Sequence, residues 1–266
     1  MKREITLHRR SEAVREVVDS LTNVQPSFST GMRKLDKAMG GGLYPGKSYG
    51  IQARKKIGKT IFMGTISRNL NYQDIPHLWI ALEMNSVELE QRQIARDLKI
   101  QSLRFLNHDK ELADQVKAYS MDAPDNTIYA NASGITIEGL EETVERAAKD
   151  YGIKGFILDY LQLVRSSDTG NRTEHLEYVA QWVSGVVRRL GIWAMVAAQL
   201  NQEDNTRGGE GMLLAFDMVF SLKRDKFKSD AWLEMVETRY TPYVNIGSSE
   251  RAGYKLIQEG PYFQEQ

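Results

Sequence analysis

Five short apolar runs mark out this chain: Ser48–Ala53, His77–Leu82, Thr127–Ala130, Gly155–Asp159 and Ile192–Ala198. None alternates strictly between apolar and polar, so each reads as a strand buried on both faces of a parallel sheet. Longer stretches with helical spacing lie between them: Thr60–Asn71, Val87–Leu98, Thr136–Tyr151 and Glu174–Leu190. Asn85-Ser86 caps the second of these. The third runs acidic then basic, the order that suits a helix dipole. Residues 100–122 are charged and mixed, and read as helical. After Met218 the pattern changes to strands and turns, at Met218–Lys223, Trp232–Glu237 and Tyr254–Gln258. This order predicts an α/β fold with a mostly parallel central sheet, helices on both faces and antiparallel strands at the C-terminal end.

The first residues stand outside that alternation, which divides the chain into an N-terminal arm, 1–27, and one domain, 28–266. In the arm, Ala13, Val14, Val17, Val18 and Leu21 fall on one helical stripe, with Ser11 as its N-cap. A helix this short is marginal alone and needs a surface for its stripe. That surface is either its own domain or a neighbouring subunit. Ser29-Thr30-Gly31 reads as the cap of a further short helix, and 40–46 as a glycine-rich turn leading into the first strand.

Composition narrows the class. The 266 residues include no cysteine, which excludes disulfides and thiolate metal sites and fits a reducing compartment. No apolar run approaches the ~20 residues of a membrane span, and the start lacks the apolar core of a signal peptide. Thirty-five basic and thirty-five acidic side chains cancel, so nucleic acid would be held by local loops or by a surface made on assembly. A cytoplasmic protein with no membrane partner is expected.

The chemistry begins where the first strand ends. Ala53-Arg54-Lys55-Lys56-Ile57-Gly58-Lys59-Thr60 has the spacing of a phosphate-binding loop, with Ala53 where the usual pattern opens on glycine. Backbone N–H groups of such a loop and the following helix N-terminus face an anion. Lys59 adds a point charge near the outer phosphates, and the Thr60 hydroxyl can hold Mg²⁺. In a parallel sheet, ligands sit at the C-terminal strand ends, and three other runs stop at a polar group. Asp159 would hold Mg²⁺ mostly through water, or it is a surface carboxylate. Glu83 would orient and deprotonate the attacking water, or it serves the cap of the next helix. Gln199 would sense the γ-phosphate, or it satisfies buried backbone. Arg239 is the candidate for an arginine supplied to a neighbour's γ-phosphate, although by position alone it is equally a solvated arginine.

The motifs Ala53–Thr60, Leu82-Glu83-Met84, Asp159-Tyr-Leu-Gln-Leu163 and Gln199-Leu-Asn201 resemble, in order, the series of the DnaB-family replicative helicase domain. Ser29-Thr-Gly31 with Leu35-Asp36 and the 41–46 turn is similar to its entry segment. Arg207-Gly-Gly209 and Arg224-Asp225 fit its second DNA loop and a later strand end. The resemblance covers the chain from about residue 28. It implies a RecA-like fold, six subunits in a ring, Mg²⁺ and ATP at subunit boundaries, and single-stranded DNA in the pore. It implies further that Glu83, Gln199 and Arg239 are catalytic, Arg239 as the arginine finger. Loops 165–173 and 201–212 match the pore loops, with Arg165, Arg172 and Arg207 as their DNA-binding cations. Segment 5–21 takes the place of the linker helix that packs on the next protomer. A primase or a helicase loader is the further partner implied.

Two departures qualify the match. The family's Lys-Gln-Arg at the finger reads Glu237-Thr238-Arg239, which replaces a cation near phosphate with a carboxylate. The primase-binding N-terminal domain is absent, which fits either a compact, phage-encoded form acting in a host cytoplasm or a piece of a longer chain. Two other functions remain open. One is a RecA-like module that uses nucleotide as an assembly switch with little unwinding. The other is a small-molecule P-loop kinase, which leaves the Asp159–Leu163 string unexplained.

Overall fold

The computed structural model describes residues 7–23, 26–107, 109–165, 172–200, 211–240, 245–247, 253–257 and 260–266. The five apolar runs become five adjacent parallel strands: β1 (Ser48–Ala53), β2 (His77–Ala81), β3 (Thr127–Asn131), β4 (Gly155–Asp159) and β5 (Trp193–Gln199). Every residue of β1, β2, β4 and β5 is buried, as their unbroken apolar character requires. β6 (Met218–Arg224) pairs in parallel with β1. Antiparallel strands β7 (Asp230–Thr238), β8 (Asn245–Ile246), β9 (Tyr254–Ile257) and β10 (Tyr262–Glu265) extend that side. The order across the sheet is β10-β9-β7-β6-β1-β5-β4-β2-β3, with β8 on β7.

Helices cover both faces. Helix α1 (Arg10–Thr22) precedes the domain, and the covering helices are drawn from α2 (Arg33–Ala38), α3 (Lys59–Asn71), α4 (Ser86–Asp97), α5 (Lys110–Asp122), α6 (Ile137–Tyr151), α7 (Arg172–Leu190) and α8 (Gly211–Leu214). Because side chains alternate across a strand, β4 and β5 feed two cores. Ile157 and Met195 join Phe62, Met63, Ile66 and Leu70 of α3. Phe156, Leu158 and Val196 join Leu140 and Val144 of α6 and Val179 and Val183 of α7. Each of these large side chains contributes about 1.5–3 kcal/mol through burial. At the start of β4, glycine is required by contact: a Cβ on Gly155 would lie 2.0 Å from the Trp193 ring.

His77, the first residue of β2, sits inside this core. Its Nε2 lies 2.7 Å from Ser67 Oγ and its Nδ1 lies 2.9 Å from the Ile75 carbonyl oxygen. Burial lowers its pKa to about 4, so the folded protein keeps the ring neutral where an unfolded chain, with an ordinary value of 6.5, takes up a proton. The stability present above pH ~6.5 is therefore lost as pH falls toward about 4. Denaturant titrations at pH 7 and pH 4.5 should show the wild type losing about 2–3 kcal/mol more than His77→Gln. Equal losses would remove His77 as the cause.

Several expectations shift. The N-terminal helix begins at Arg10, with Arg9 rather than Ser11 at its N-cap, because Glu12 reaches back to the Arg9 N–H at 2.7 Å. It does not lie on its own domain. None of its residues is buried, and Val14, Val17, Val18 and Leu21 are all exposed. The Ser29-Thr30 pair does not cap α2. Both hydroxyls donate to Asp36, each at 2.6 Å. The α2 N-terminus is instead held by Glu265 of β10, which accepts from the Arg33 and Lys34 N–H groups at 3.1 and 2.6 Å. Residues 100–122 divide into a 3₁₀ turn, Ser102–Leu106, and α5. Helix α7 starts at Arg172, inside the expected 165–173 loop. Strand β10 gave no signal, since four residues at a sheet edge depend on their pairing with β9.

Candidate nucleotide site

Four strands bring their C-terminal ends to one rim. Ala53 pairs with Gln199 across β1 and β5, Leu158 with Val196 across β4 and β5, and Ala81 with Asp159 across β2 and β4. The loop after Ala53, Asp159, Gln199 and Glu83 therefore converge, although they are spread over 146 positions of sequence.

The loop keeps its curvature through two left-handed residues, Lys56 at φ +68° and Gly58 at φ +113°. At Gly58 the conformation favours glycine, and a Cβ would also crowd the Phe263 ring at 3.1 Å. Ala53 is fully buried, so the methyl in place of the usual glycine is accommodated. Arg54, Lys55 and Lys56 are exposed, Ile57 is buried, and α3 starts at Lys59. Arg224, at the end of β6, braces this loop from beside it. Its Nε donates to the Ile57 carbonyl at 2.8 Å, its Nη2 to Lys56 at 3.3 Å and its Nη1 to Lys228 at 2.6 Å.

Asp159 and Lys59 are set against each other electrostatically. Burial pushes the Asp159 carboxyl above the usual range, while a hydrogen bond from the Thr60 hydroxyl and the charge of Lys59 pull it back. Burial likewise lowers Lys59, and the charges of Asp159 and Glu83 oppose that shift. Asp159 Oδ1 is buried without a hydrogen-bond partner. A hydroxyl beside an unsatisfied carboxylate oxygen suits a hard cation that keeps most of its water. Among the described residues no group of three or more His, Cys, Asp or Glu side chains could hold a metal. A divalent ion here would take Thr60, Asp159, water and phosphate oxygens.

The segment after Asp159 is organised tightly. The Asp159–Tyr160 peptide is cis, and the Tyr160 ring lies under Lys59 Nζ, 5.0 Å from the ring centroid. Leu161 enters the core. Gln162 brackets the Gln199 main chain: its amide donates to the Gln199 carbonyl at 3.3 Å and its oxygen accepts the Gln199 N–H at 3.2 Å. The sequence motif thus has a physical content, since Asp159 and Tyr160 face the rim, Leu161 anchors the segment in the core and Gln162 fixes the neighbouring strand. Glu83 lies just past β2 and is exposed. It does not cap α4, because Asn85 and Glu88 cap that helix between them, at 2.9 and 3.0 Å.

Arg239 is placed elsewhere. Thr238 pairs with Met218 and Met218 with Tyr49, so Arg239 follows the end of β7 at the N-terminal edge of the parallel strands. Four residue steps of β1, about 13 Å, separate Tyr49 from the start of the phosphate loop. The Arg239 N–H donates to the Asp217 carbonyl at 3.0 Å, and its guanidinium donates to the Leu214 and Ala215 carbonyls at 3.2 Å. Of the DNA-binding candidates, Arg165 is exposed and its N–H donates to the Ile135 carbonyl at 2.8 Å. Arg172 opens α7, and its side chain lies outside the described residues, as does Arg207 with the rest of 201–210. Sequence reasoning missed the Arg224 brace, the Gln162 clamp and Arg92 of α4, whose charge acts on Asp159.

Comparison with known proteins agrees with this fold. The ATPase domain of G40P superposes with a TM-score of 0.82 over 98% of this chain and 100% of its own, at 17% identity. A DnaB-like replicative helicase solved for its interactions with primase gives 0.79 over 97% of this chain and 67% of its own, at 18% identity. These likenesses establish the RecA-like fold. The replicative DNA helicase DnaC of Bacillus subtilis is 24% identical over 179 residues, 65% of this chain and 39% of that protein. The chain therefore spans well under half the length of this curated relative. A family model, the DnaB-like helicase C-terminal domain, matches residues 27–212. That match takes in most of the chain, including all four strand ends of the rim, and the chain belongs to the DnaB-like helicase C-terminal domain family.

Proposed function

We propose that this chain is the Mg²⁺-dependent ATPase motor of a ring-forming replicative helicase, which translocates on single-stranded DNA and separates duplex. The observation that carries the reading is the division of one catalytic set between opposite ends of the sheet. Lys59, Thr60, Glu83, Asp159 and Gln199 occupy one end and Arg239 the other. A chain built this way completes a site only against a second copy, placed head to tail, and such contacts close into a ring when the rotation between copies closes.

In that assembly the backbone of 54–58 and the α3 N-terminus hold the phosphates, and Lys59 neutralises their outer charge. Thr60 and Asp159 would hold Mg²⁺, which would supply positive charge against that developing on the phosphates. In this reading Glu83 orients the water and takes its proton, and Gln199, at the end of β5, bonds the γ-phosphate. Arg239 of a neighbouring copy stabilises the transferring group. The exposed α1 stripe finds its missing surface on that same neighbour. DNA is contacted, on the same reading, by the segments that follow β4 and β5 in the chain, through Arg165, Arg172 and Arg207. With so few cations per copy, affinity should depend only weakly on salt per protomer. Six copies, and a primase or loader as further partner, complete this reading.

The test is size-exclusion chromatography with and without Mg²⁺-ATP and an oligonucleotide, together with ATPase and strand-displacement assays. Assembly with nucleotide, turnover that rises with single-stranded DNA and displacement that requires hydrolysis are expected. A monomer with undiminished turnover overturns the proposal. Glu237, two residues before Arg239, favours a second reading in which nucleotide switches assembly. Assembly and DNA binding without displacement would select it.

A further inference from the structure

We propose that Tyr160 is a positioning residue for the phosphate-loop lysine, its ring holding Lys59 over the rim in readiness for phosphate. The inference rests on the nucleotide-site reading and adds a residue to it. Lys59 Nζ lies 5.0 Å from the Tyr160 ring centroid, within the range of a cation–π contact.

Three features make the contact more than a surface coincidence. The ring is anchored from both sides, by Asp159 at the end of β4 and by buried Leu161 and Gln162, the latter bracketing the Gln199 main chain. The ring itself packs against the core on the α3 face of the sheet. Second, although the charges of Asp159 and Glu83 act on Lys59, it forms an ion pair with neither among the described residues, and Asp159 accepts a hydrogen bond from the Thr60 hydroxyl. An ion pair with Lys59 would compete with phosphate for the ammonium. An aromatic face attracts the charge through its quadrupole without occupying its three donors. Third, Lys59 is largely desolvated, where such an attraction is stronger than at an exposed site. Tyr160 thus fixes a flexible four-carbon side chain before the ligand arrives, and less rotamer freedom is lost on binding.

Calorimetric titration of the full chain with ADP and with ATP, at fixed Mg²⁺ and salt, tests this. Tyr160→Phe keeps the aromatic face and should bind within about twofold of wild type. Tyr160→Leu keeps bulk without a quadrupole and should bind about tenfold more weakly, with the melting temperature of the nucleotide-free protein unchanged. If the leucine variant melts early, Tyr160→Met replaces it with the same expectation. A folded Leu or Met variant that binds like wild type overturns the proposal, and so does a Phe variant that loses as much as Leu. Lys59→Ala separates the two levels. Loss of binding there with no effect at Tyr160 removes only this inference, whereas a wild-type protein that binds neither nucleotide removes the site reading and this inference with it.

Discussion

Arg239→Ala should lower ATP turnover by about 10³-fold or more, the scale of an arginine finger, while ATP affinity stays within about twofold of wild type. The asymmetry follows from placement. Within its own subunit Arg239 follows the end of β7, bonded to Asp217, Leu214 and Ala215, a strand's length from Lys59. It cannot stabilise phosphate bound to its own chain. Removing it leaves the phosphate loop, Thr60 and Asp159 untouched, so binding persists and only the transition state loses a charge. The trans origin has its own signature. On the proposed reading, a protein lacking Lys59 and a protein lacking Arg239 should each be inactive, yet mixing them should restore intact pairings. The Arg239→Ala copy supplies the loop and the Lys59→Ala copy supplies the arginine, at about a quarter of neighbouring contacts in a random ring. Recovered turnover on mixing supports the split site. No recovery, with both variants folded and assembled, would show that Arg239 does not act across a subunit boundary.

Different parts of this arrangement were legible to different degrees. The rim could be read because it is written at the ends of apolar runs. Burial of β1, β4 and β5 on both faces forces continuous apolar sequence, so the polar residue that stops each run stands out, as Asp159 and Gln199 do. The parallel topology then carries those residues to one edge. What could not be read depends on pairings between remote segments. Arg224 fits a strand end in the sequence, but nothing local marks its task. Its grip on the Ile57 and Lys56 carbonyls exists only because β6 lies beside β1. The capping of α2 by Glu265 spans the length of the domain, and no local signal marks it. The Ser29-Thr30 pair misled for the opposite reason. Its residue types suit an N-cap, but the N–H groups its hydroxyls accept, those of Gly31 and Met32, lie before the helix, and the same hydroxyls donate to Asp36. Gln162 shows a third case. The string that contains it was recognisable, yet its task, pinning the Gln199 main chain, became visible only with β4 and β5 adjacent.

Glu83→Gln should separate binding from turnover at the other end of the reaction. The side chain stands just beyond β2, close enough for its charge to act on Lys59 and Asp159, and the capping of α4 by Asn85 and Glu88 leaves it without a duty in the helix. Glutamine preserves its size and can still hydrogen-bond water, but it cannot take a proton. The expected loss is about 10²–10⁴ in turnover, the range for a general base. Affinity should move the other way. Removing a negative charge beside the phosphate site strengthens ATP binding modestly, so the variant should be isolated with ATP still attached and, on the proposed reading, as an assembled ring. Single-turnover quench separates the steps, because a defect in chemistry slows the first turnover itself, whereas a defect in product release leaves it fast. Glu83→Gln with a first turnover at the wild-type rate would end the assignment and move the base to another group. Glu83→Asp is the companion variant: it keeps the carboxylate but withdraws it by one methylene, so partial activity there, against near-complete loss in glutamine, would show that a carboxylate is required and that its reach to the water sets the rate.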